Sequence, residues 1–421
     1  MKQVVFGPFR MDVSSARLLR DGVELNLRPQ VFHALKALIE NTGRYVDYEQ
    51  MIRDAWDGTV VSRHTVAVTV GEAKKVLKEY GSWIHYRPKL GYCVQVPRSE
   101  DLIRKGWHFA QRYTREGFEK ALECFHQAAL DDSAEFRALE GMSLCYLMLG
   151  GHGMRPPLEM YPQFLEAHRR AVELRGLTPE LRADRAHALH IFERKYAEAE
   201  AELLQALRAD PKLVAGYGHL IMVYATSGRF DEALDVLSRA YCADALWPML
   251  PAMEVLIRLC RREFDCAVAC GKKAVDLHPY LHAGRFLYAQ ALEFTGRMDE
   301  ALEQYRRAGT ISPDLPWIRV HEAACLAKSG RRAESLIILE ELERLRESEY
   351  VDAYAMAVLR AALGAKEEAF QELERAVQEN SALLFFQDVD RNMDLFREDP
   401  RFASLRERLF GGAVRQISSA A

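Results

Sequence analysis

Long apolar runs and paired cysteines are both missing from this chain of 421 residues. Nowhere do 18 apolar residues follow one another, and the opening residues MKQVVFGPFRMD lack the apolar core of a signal peptide. The eight cysteines follow no disulfide framework and form no C-x-x-C motif. These absences argue against a secreted or membrane-spanning protein and predict a protein of the reducing cytoplasm.

The common motifs of enzymes are also absent. The sequence contains no GxxxxGK phosphate loop, no GxSxG nucleophile motif, no HExxH and no glycine-rich loop after a strand. The densest cysteine group is Cys260, Cys266 and Cys270, with His278 nearby, and it does not have the spacing of a zinc site. We therefore expect neither catalysis nor a metal or other cofactor.

Neither sign of charge is in large excess over the whole chain, which carries 57 Lys and Arg against 61 Asp and Glu. The distribution is uneven, because residues 1–100 hold 15 basic and 11 acidic side chains. The N-terminal part is thus mildly basic and the rest acidic. A small DNA-contacting module on a larger body fits this asymmetry, although many inert domains share such a charge. The length itself requires two or more domains or a repeat array.

A period of 34 residues runs through the chain after residue 100. The segments GRFDEALDVLSRA, GRMDEALEQYRRA, GRRAESLIILEEL and GAKEEAFQELERA begin at Gly228, Gly296, Gly330 and Gly364, and related segments begin at Arg194 and Arg262. Each unit predicts two antiparallel helices, with Gly allowing the turn between them. A small residue recurs where the helices would cross closely, at Ala199, Ala233, Ala267, Ala301, Ser335 and Ala369.

This pattern resembles the tetratricopeptide repeat family. The register predicts about eight units over residues 102–383, of which the second is ten residues too long. Its excess lies at GGHGMRPPLEM, residues 150–160, where glycines and prolines favour an enlarged turn over helix. Residues 384–410 depart from the repeat and are expected to cap the last apolar face.

The first helix of each pair is expected to line the concave groove of such an array. The residues predicted to face the groove are mostly apolar: Ile191, Met222, Met249, Leu256, Leu259, Phe286, Trp317 and Tyr354. An exposed groove of this kind would bind a protein, a peptide or a small-molecule effector, or a second copy of the chain as a homodimer. Tight curvature or the N-terminal domain would otherwise cover it.

The first hundred residues combine short strands with helices. Turn signals separate the strand-like segments KQVVFGPF, ARLLRDG and VELNL, and two helical segments and the hairpin WIHYRPKLGYCVQV follow. Between them, SRHTVAVTVGEAKKVLKEYG at residues 62–81 has the alternating valines of a strand, yet Val66, Val70, Ala73 and Leu77 also share one helical face. We favour the helix, because a strand would leave Ala73 and Leu77 without a core to face.

This order resembles the winged helix-turn-helix of the OmpR/PhoB-type response-regulator output domain. LRPQVFHALKALIENTGRYVDYEQMIRDAW corresponds to its first two helices, TVAVTVGEAKKVL to its recognition helix and YRPKLGYCV to its wing. Joined to tetratricopeptide repeats, it is similar to HilA- and CadC-like bacterial regulators, here without a membrane segment. The resemblance implies a mainly α protein, with an α+β winged helix domain over residues 1–98 followed by an α-solenoid.

In that family the third helix enters the major groove of DNA and the wing touches the backbone or the minor groove. Carried over by position, the DNA-binding candidates are Arg63, His64, Thr65, Thr69, Lys74, Lys75 and Lys78 in the helix and Arg87 and Lys89 in the wing. Gly71 and Glu72 depart from the family pattern, in which basic residues are frequent, and Glu72 would repel phosphate. The resemblance implies a cytoplasmic transcriptional regulator that binds double-stranded promoter DNA. Alternatively, the winged helix has lost DNA binding and the protein is an interaction scaffold.

Overall fold

The protein forms two compact units. The computed structural model describes residues 3–6, 9–13, 15–20, 23–96, 99–131 and 135–410. The first unit comprises residues 1–107 together with 123–138, and the second comprises residues 108–122 together with 139–421.

A four-stranded antiparallel sheet opens the first unit. Its strands pair in chain order and are β1 (Gln3–Phe6), β2 (Phe9–Asp12), β3 (Arg17–Arg20) and β4 (Val23–Leu25). Phe9 and Met11 alternate with exposed or half-exposed neighbours and are buried, as is Leu18 on the adjacent strand. The small sheet expected from the turn signals is thereby confirmed.

Three helices follow, α1 (Pro29–Glu40), α2 (Tyr48–Trp56) and α3 (Arg63–Leu77). Proline suits the first turn of α1, because its φ is fixed near the helical value and its missing N–H has no helical partner there. The Asp47 carboxylate caps α2 by accepting a hydrogen bond from the Gln50 backbone N–H at 2.8 Å.

The ambiguous stretch at residues 62–81 is helical, as favoured above. Val66, Val70, Ala73 and Leu77 all lie in the core of the first unit, together with side chains of the sheet and of α1. A 3-10 segment, Lys78–Trp83, follows α3. Gly81 is required there, since a Cβ would lie 2.5 Å from the Lys74 carbonyl oxygen.

The predicted hairpin consists of β5 (Ile84–Arg87) and β6 (Gly91–Val94). Gly91 has a φ of 97°, and a Cβ on it would lie 2.0 Å from the Val46 carbonyl oxygen. The backbones of Val46 and Tyr92 exchange hydrogen bonds of 2.7 and 3.0 Å. Glycine therefore lets the base of the hairpin approach the chain that precedes α2.

Among the described residues between 99 and 378, eight helix pairs follow, and all but the second keep close to the spacing that the 34-residue period predicts. They are α4 (Ser99–Ala110) and α5 (Arg115–Ala128), α6 (Glu135–Gly151) and α7 (Pro157–Arg175), α8 (Pro179–Ile191) and α9 (Tyr196–Ala209), α10 (Val214–Thr226) and α11 (Phe230–Ala243), α12 (Leu250–Cys260) and α13 (Phe264–Leu277), α14 (His282–Phe294) and α15 (Met298–Ile311), α16 (Pro316–Lys328) and α17 (Arg332–Leu345), and α18 (Ala353–Ala362) and α19 (Lys366–Gln378). The small residues predicted at the close crossings, from Ala199 to Ala369, are fully buried. The helical repeats are confirmed.

The enlarged turn expected in the second pair is wrong. α6 has 17 residues and α7 has 19, and only residues 152–156 lie between them. Gly150 and Gly151 continue α6, where a Cβ on Gly151 would lie 2.6 Å from the Ile191 Cδ1 atom. Pro157 begins α7 at a position that tolerates proline. The extra residues therefore lengthen both helices, and the glycines permit close packing.

Residues after α19 form two 3-10 segments, Ala382–Phe386 and Arg391–Phe396, and the helix α20 (Pro400–Phe410). Residues 380–397, hereafter the C-terminal segment, bury Phe385, Met393 and Phe396. Among the described helices, none is both long enough and apolar enough to span a lipid bilayer.

Candidate nucleic-acid interface

The side of α3 that faces away from the core forms a continuous row of accessible residues, hereafter the stripe. Residues four, three and four positions apart share a helical face, and here they are His64, Val68, Gly71 and Lys75. None of these four is buried, and Val68 is 45% exposed. Lys78 follows directly after the helix, with a φ of 53°. The Ser62 hydroxyl fixes the start of the helix by accepting a hydrogen bond from the Thr65 backbone N–H at 3.1 Å.

Thr69 does not belong to this stripe, and its prediction as a DNA contact is corrected. Its side chain is buried, and its hydroxyl donates a hydrogen bond of 3.0 Å to the Thr65 carbonyl oxygen. A threonine in a helix can satisfy its own hydroxyl in this way and then face the core. Thr65 is exposed, but its hydroxyl lies 2.9 Å from the Ser62 hydroxyl and so contributes to the cap.

Two predicted arginines rest on tyrosine rings. The Arg63 guanidinium lies 4.9 Å from the centre of the Tyr48 ring, and the Arg87 guanidinium lies 5.6 Å from that of Tyr45. Both arginines remain exposed. Stacking of this kind restricts a long side chain without removing its charge, so both guanidinium groups stay available to an anion.

The predicted lysines point to solvent. Lys75, Lys78 and Lys89 are exposed and Lys74 is half-buried, and in the described part of the chain none of the four has an ion pair within 4 Å. Lys74 and Lys75 lie in the last turn of α3, where positive charge interacts favourably with the helix dipole. Lys89 sits at the tip of the hairpin with a φ of 70°.

Sequence reasoning missed Arg28, which precedes α1. Its guanidinium forms an ion pair with Glu72 of α3, 44 positions later in the chain. The Arg28 side chain is 65% exposed and that of Glu72 is 34% exposed. Glu72 is therefore paired with a cation within the domain. The basic character of Arg28 was visible in the sequence, but its partner was not.

The centre of the stripe was also missed. Val68 and Gly71 leave the middle of α3 uncharged, and apart from the adjoining residues and backbone of α3 itself, no described atom lies within 4 Å of where a Cβ on Gly71 would be. A small, apolar helix face permits close approach to base edges and contact with the methyl group of thymine. Within α3 the cations lie at the C-terminal end of the stripe, at Lys75, and along one of its edges, at Arg63 and Lys74.

The predicted partner-binding groove of the repeats is not an open surface, and that expectation is corrected. Six of its residues are buried, namely Ile191, Leu256, Leu259, Phe286, Trp317 and Tyr354, and Met222 and Met249 are half-buried. The chain itself covers them. The Trp317 indole N–H donates a hydrogen bond of 3.0 Å to the His152 carbonyl oxygen, in the turn between α6 and α7.

The C-terminal segment covers the same side further along the array. The Tyr354 hydroxyl donates a hydrogen bond of 2.9 Å to the Asp390 carboxylate, and Phe385 contacts His190 with ring centres 5.0 Å apart. Val389 is part of the core formed by α8 to α12. The inner surface of the repeats is thus filled by this segment.

Two departures from the repeat pattern hold the C-terminal segment in place. Gly228, Gly296, Gly330 and Gly364 adopt positive φ in the turns between paired helices, and Arg194 and Arg262 do the same at the equivalent positions, with φ of 55° and 65°. The Arg194 guanidinium donates a hydrogen bond of 2.7 Å to Asn380. The Arg262 guanidinium binds both carboxylate oxygens of Asp394, at 2.7 and 2.8 Å. These contacts offset the cost of a left-handed arginine, about 1–2 kcal/mol.

Buried histidines gather on the inner helices α8 and α10. The rings of His187 and His219 stack with centres 4.0 Å apart, and His190 lies 2.9 Å from the Thr226 hydroxyl. Burial, with the neighbouring histidines adding to it, lowers the pKa of His190 to about 3, that of His219 to about 4 and that of His187 well below its usual value. Within the described ranges, no group of three or more His, Cys, Asp or Glu side chains could hold a metal ion.

These features define the class of the protein. An OmpR/PhoB-type transcriptional regulatory domain stands at the N-terminus, and tetratricopeptide repeats follow it. The family described as "Transcriptional regulatory protein, C terminal" matches residues 22–94. The family described as "Tetratricopeptide repeat" matches residues 189–248.

The chain is similar to the transcriptional activator CadC of Escherichia coli (strain K12), with 26% identity over 95 residues. The match covers 22% of this chain and 19% of CadC, so it spans about a fifth of that relative. A solved structure of IFIT1, a monomeric mutant with m7Gppp-AAAA, covers 84% of this chain and 92% of its own at 15% identity, with a TM-score of 0.51. A thermophilic tetratricopeptide protein of Thermus thermophilus has 25% identity over 44% of this chain and 98% of its own, with a TM-score of 0.38. The likeness to IFIT1 concerns the fold alone.

Proposed function

We propose that the protein is a DNA-binding transcriptional regulator of the bacterial cytoplasm. In this proposal α3 enters the major groove of promoter DNA and the hairpin of β5 and β6 touches the backbone, as in the family that it resembles. The repeat array that follows this domain in the chain serves protein contacts.

One observation carries the proposal. The exposed stripe of α3 ends in Lys75, and Arg63 and Lys74 lie along one of its edges; Lys78 directly after the helix and Arg87 and Lys89 on the hairpin are exposed as well. Lysine and arginine contacts to phosphate supply most of the sequence-independent affinity for DNA, because each contact releases condensed counterions. The first hundred residues are the basic part of an otherwise acidic chain, which favours the same surface.

We expect that one copy binds DNA weakly. Val68 and Gly71 occupy the centre of the stripe and offer no hydrogen bond to a base edge, so most direct reading would come from His64 and Lys75 and from contact with thymine methyl groups. A second copy on an adjacent half-site, or a partner protein, would supply the missing affinity.

The proposed effector or partner of the repeats would meet their outer surface. A peptide on the inner side would have to displace the C-terminal segment, and exposing a large apolar side chain such as Phe385, Met393 or Phe396 costs about 1.5–3 kcal/mol each. Outward-facing apolar side chains such as Leu158 on α7, which is 57% exposed, stay accessible without that cost.

The test is retardation of duplex DNA by the full-length protein as salt is varied. We expect substitution of Lys74, Lys75 and Arg87 by Ala to weaken binding and to reduce the slope of log affinity against log salt by about 0.9 for each phosphate that is no longer neutralised. The matched control replaces Lys212, Lys272 and Lys273 of the repeat array, which are exposed, and should change neither quantity.

The uncharged centre of the stripe favours one alternative, in which this surface binds a protein. The same experiment separates the two functions. A protein that retards no duplex even at low salt would support a scaffold, whereas salt-dependent binding that only the first triple substitution weakens would support the regulator.

A further inference from the structure

The ion pair between Arg28 and Glu72 adds a cation to the recognition surface. We propose that Arg28 is a further contact to the DNA backbone and that Glu72 is the positioning residue that holds it beside α3. The inference rests on the proposed function, because it assumes that α3 meets DNA.

The exposed stripe of α3 has two edges with different charge. Arg63 and Lys74, eleven positions apart, lie along one edge. Thr65, Glu72 and Val76 lie along the other edge, which has no cation among the residues of α3 itself. A helix in the major groove has a phosphate backbone on each side. One of these backbones would therefore meet no positive charge from α3.

Arg28 supplies the missing cation. It occupies the position before α1, and its side chain reaches the carboxylate of Glu72 on the edge that has no cation of its own. The guanidinium is the more exposed member of the pair, at 65% against 34%. A phosphate that approaches this edge meets the arginine first.

The geometry of the ion pair leaves Arg28 able to bind a phosphate group. One Nη2 donor of Arg28 contacts one Glu72 oxygen. Since a guanidinium carries five N–H donors in a rigid fork, several donors stay available for a phosphate oxygen. A carboxylate partner also restricts a side chain that would otherwise lose much conformational entropy on binding. Glu72 thus aids a backbone contact although its own charge repels phosphate.

Two single variants and their combination test this assignment in the full-length protein, with a fluorescein-labelled duplex of mixed sequence as the probe. We expect R28A to weaken binding severalfold and to lower the salt slope by about 0.9. E72Q should also weaken binding, since Arg28 is no longer held. In the R28A background the effect of E72Q should reverse, because removing an unpaired carboxylate then strengthens binding.

The Arg17–Glu24 pair between β3 and β4 is the matched control. Its atoms are 3.6 Å apart and both side chains are exposed, at 60% and 55%, and R17A and E24Q should leave DNA affinity and salt slope unchanged. Thermal denaturation of each variant distinguishes a folding defect from a weaker DNA interaction. Tighter binding by E72Q alone, or an unchanged slope in R28A, would overturn this inference and leave the proposed function intact. No binding by the unaltered protein would overturn both.

Discussion

Gly71 lies on the exposed side of α3, where a Cβ would have no neighbour within 4 Å. Glycine in a helix interior costs about 1 kcal/mol relative to alanine, because it gives up more backbone entropy on folding. We predict that G71A raises the free energy of unfolding by about 1 kcal/mol, measured by chemical denaturation.

Gly81 provides the control for this prediction. There a Cβ would lie 2.5 Å from the Lys74 carbonyl oxygen, so the backbone must shift to accept it. G81A should lower the free energy of unfolding. If G71A were also destabilising, or if both variants behaved alike, Gly71 would not lie on an open helix face.

Individual site residues were predictable where a period fixes them. Val66, Val70, Ala73 and Leu77 follow from helical spacing, and their burial is confirmed. Thr69 did not follow, because a threonine can satisfy its hydroxyl on its own helix and face either core or solvent. Arg28 was missed because its role depends on a partner 44 positions away, which no local pattern shows.

Arg194 and Arg262 depart from the repeat pattern at positions where they contact another element, the C-terminal segment. Each takes the left-handed position that glycine holds elsewhere in the array, and each binds the C-terminal segment. We predict that R262G changes global stability by less than about 1 kcal/mol, because relief of the left-handed backbone and loss of a half-exposed ion pair oppose each other. Amide exchange in residues 388–397 should nevertheless become faster.

Mass-spectrometric hydrogen exchange on the full chain measures this local effect. R297A is the control, since Arg297 pairs with Glu300 within its own helix pair and, in the part of the chain that the structure describes, forms no hydrogen bond or ion pair with the C-terminal segment. Equal exchange rates in the unaltered protein and R262G would show that the arginine is not what holds the segment.

Whole elements were predictable to different degrees. The 34-residue period predicted the helix pairs, because a small residue such as Ala233 recurs at the position of each unit where the paired helices cross closely and a larger side chain would push them apart. The lengthened α6 and α7 were not predicted. A glycine such as Gly151 can end a helix, or it can continue the helix and make room for a neighbouring side chain, and only the tertiary packing around it determines which of the two occurs. The cover over the inner surface was missed, because the C-terminal segment has no repeat and its partners lie far away in sequence.

The stability of the second unit, which contains most of the repeats, should depend on pH in the acidic range. His187, His190 and His282 are buried, and burial lowers their pKa values, to about 3 for His190 and about 4 for His282. Unfolded histidines take up protons below about pH 6.5 while these folded ones do not, so stability falls as the pH drops from about 6.5 toward 4. Asp184 acts in the opposite sense, since its pKa is raised to about 8 by burial and by nearby Glu140 and Glu180.

The pKa is lowered by burial in four further histidines as well, His152, His168, His219 and His321, whereas it is raised in two carboxyl groups, Asp184 and Asp352. The histidines outnumber the carboxyl groups, so we predict that the denaturation midpoint falls as the pH is lowered from about 7 to about 4. H219Q removes one proton-binding group beside His187 and should make the fall less steep. Denaturation followed by circular dichroism across this pH interval measures both. A midpoint that is constant or rises on acidification would contradict the assignment of neutral, buried histidines.

The hydrogen bond from Trp317 to His152 joins the seventh helix pair to the second, and the backbone N–H of Arg115 in the first pair binds Asp314. In an open solenoid each repeat contacts only its neighbours, so unfolding can begin at either end and proceed one repeat at a time. Here residues of the first two modules are hydrogen-bonded to the seventh module and to the turn before it, so the early modules have partners far along the chain. Deleting the seventh module should then destabilise the second as well.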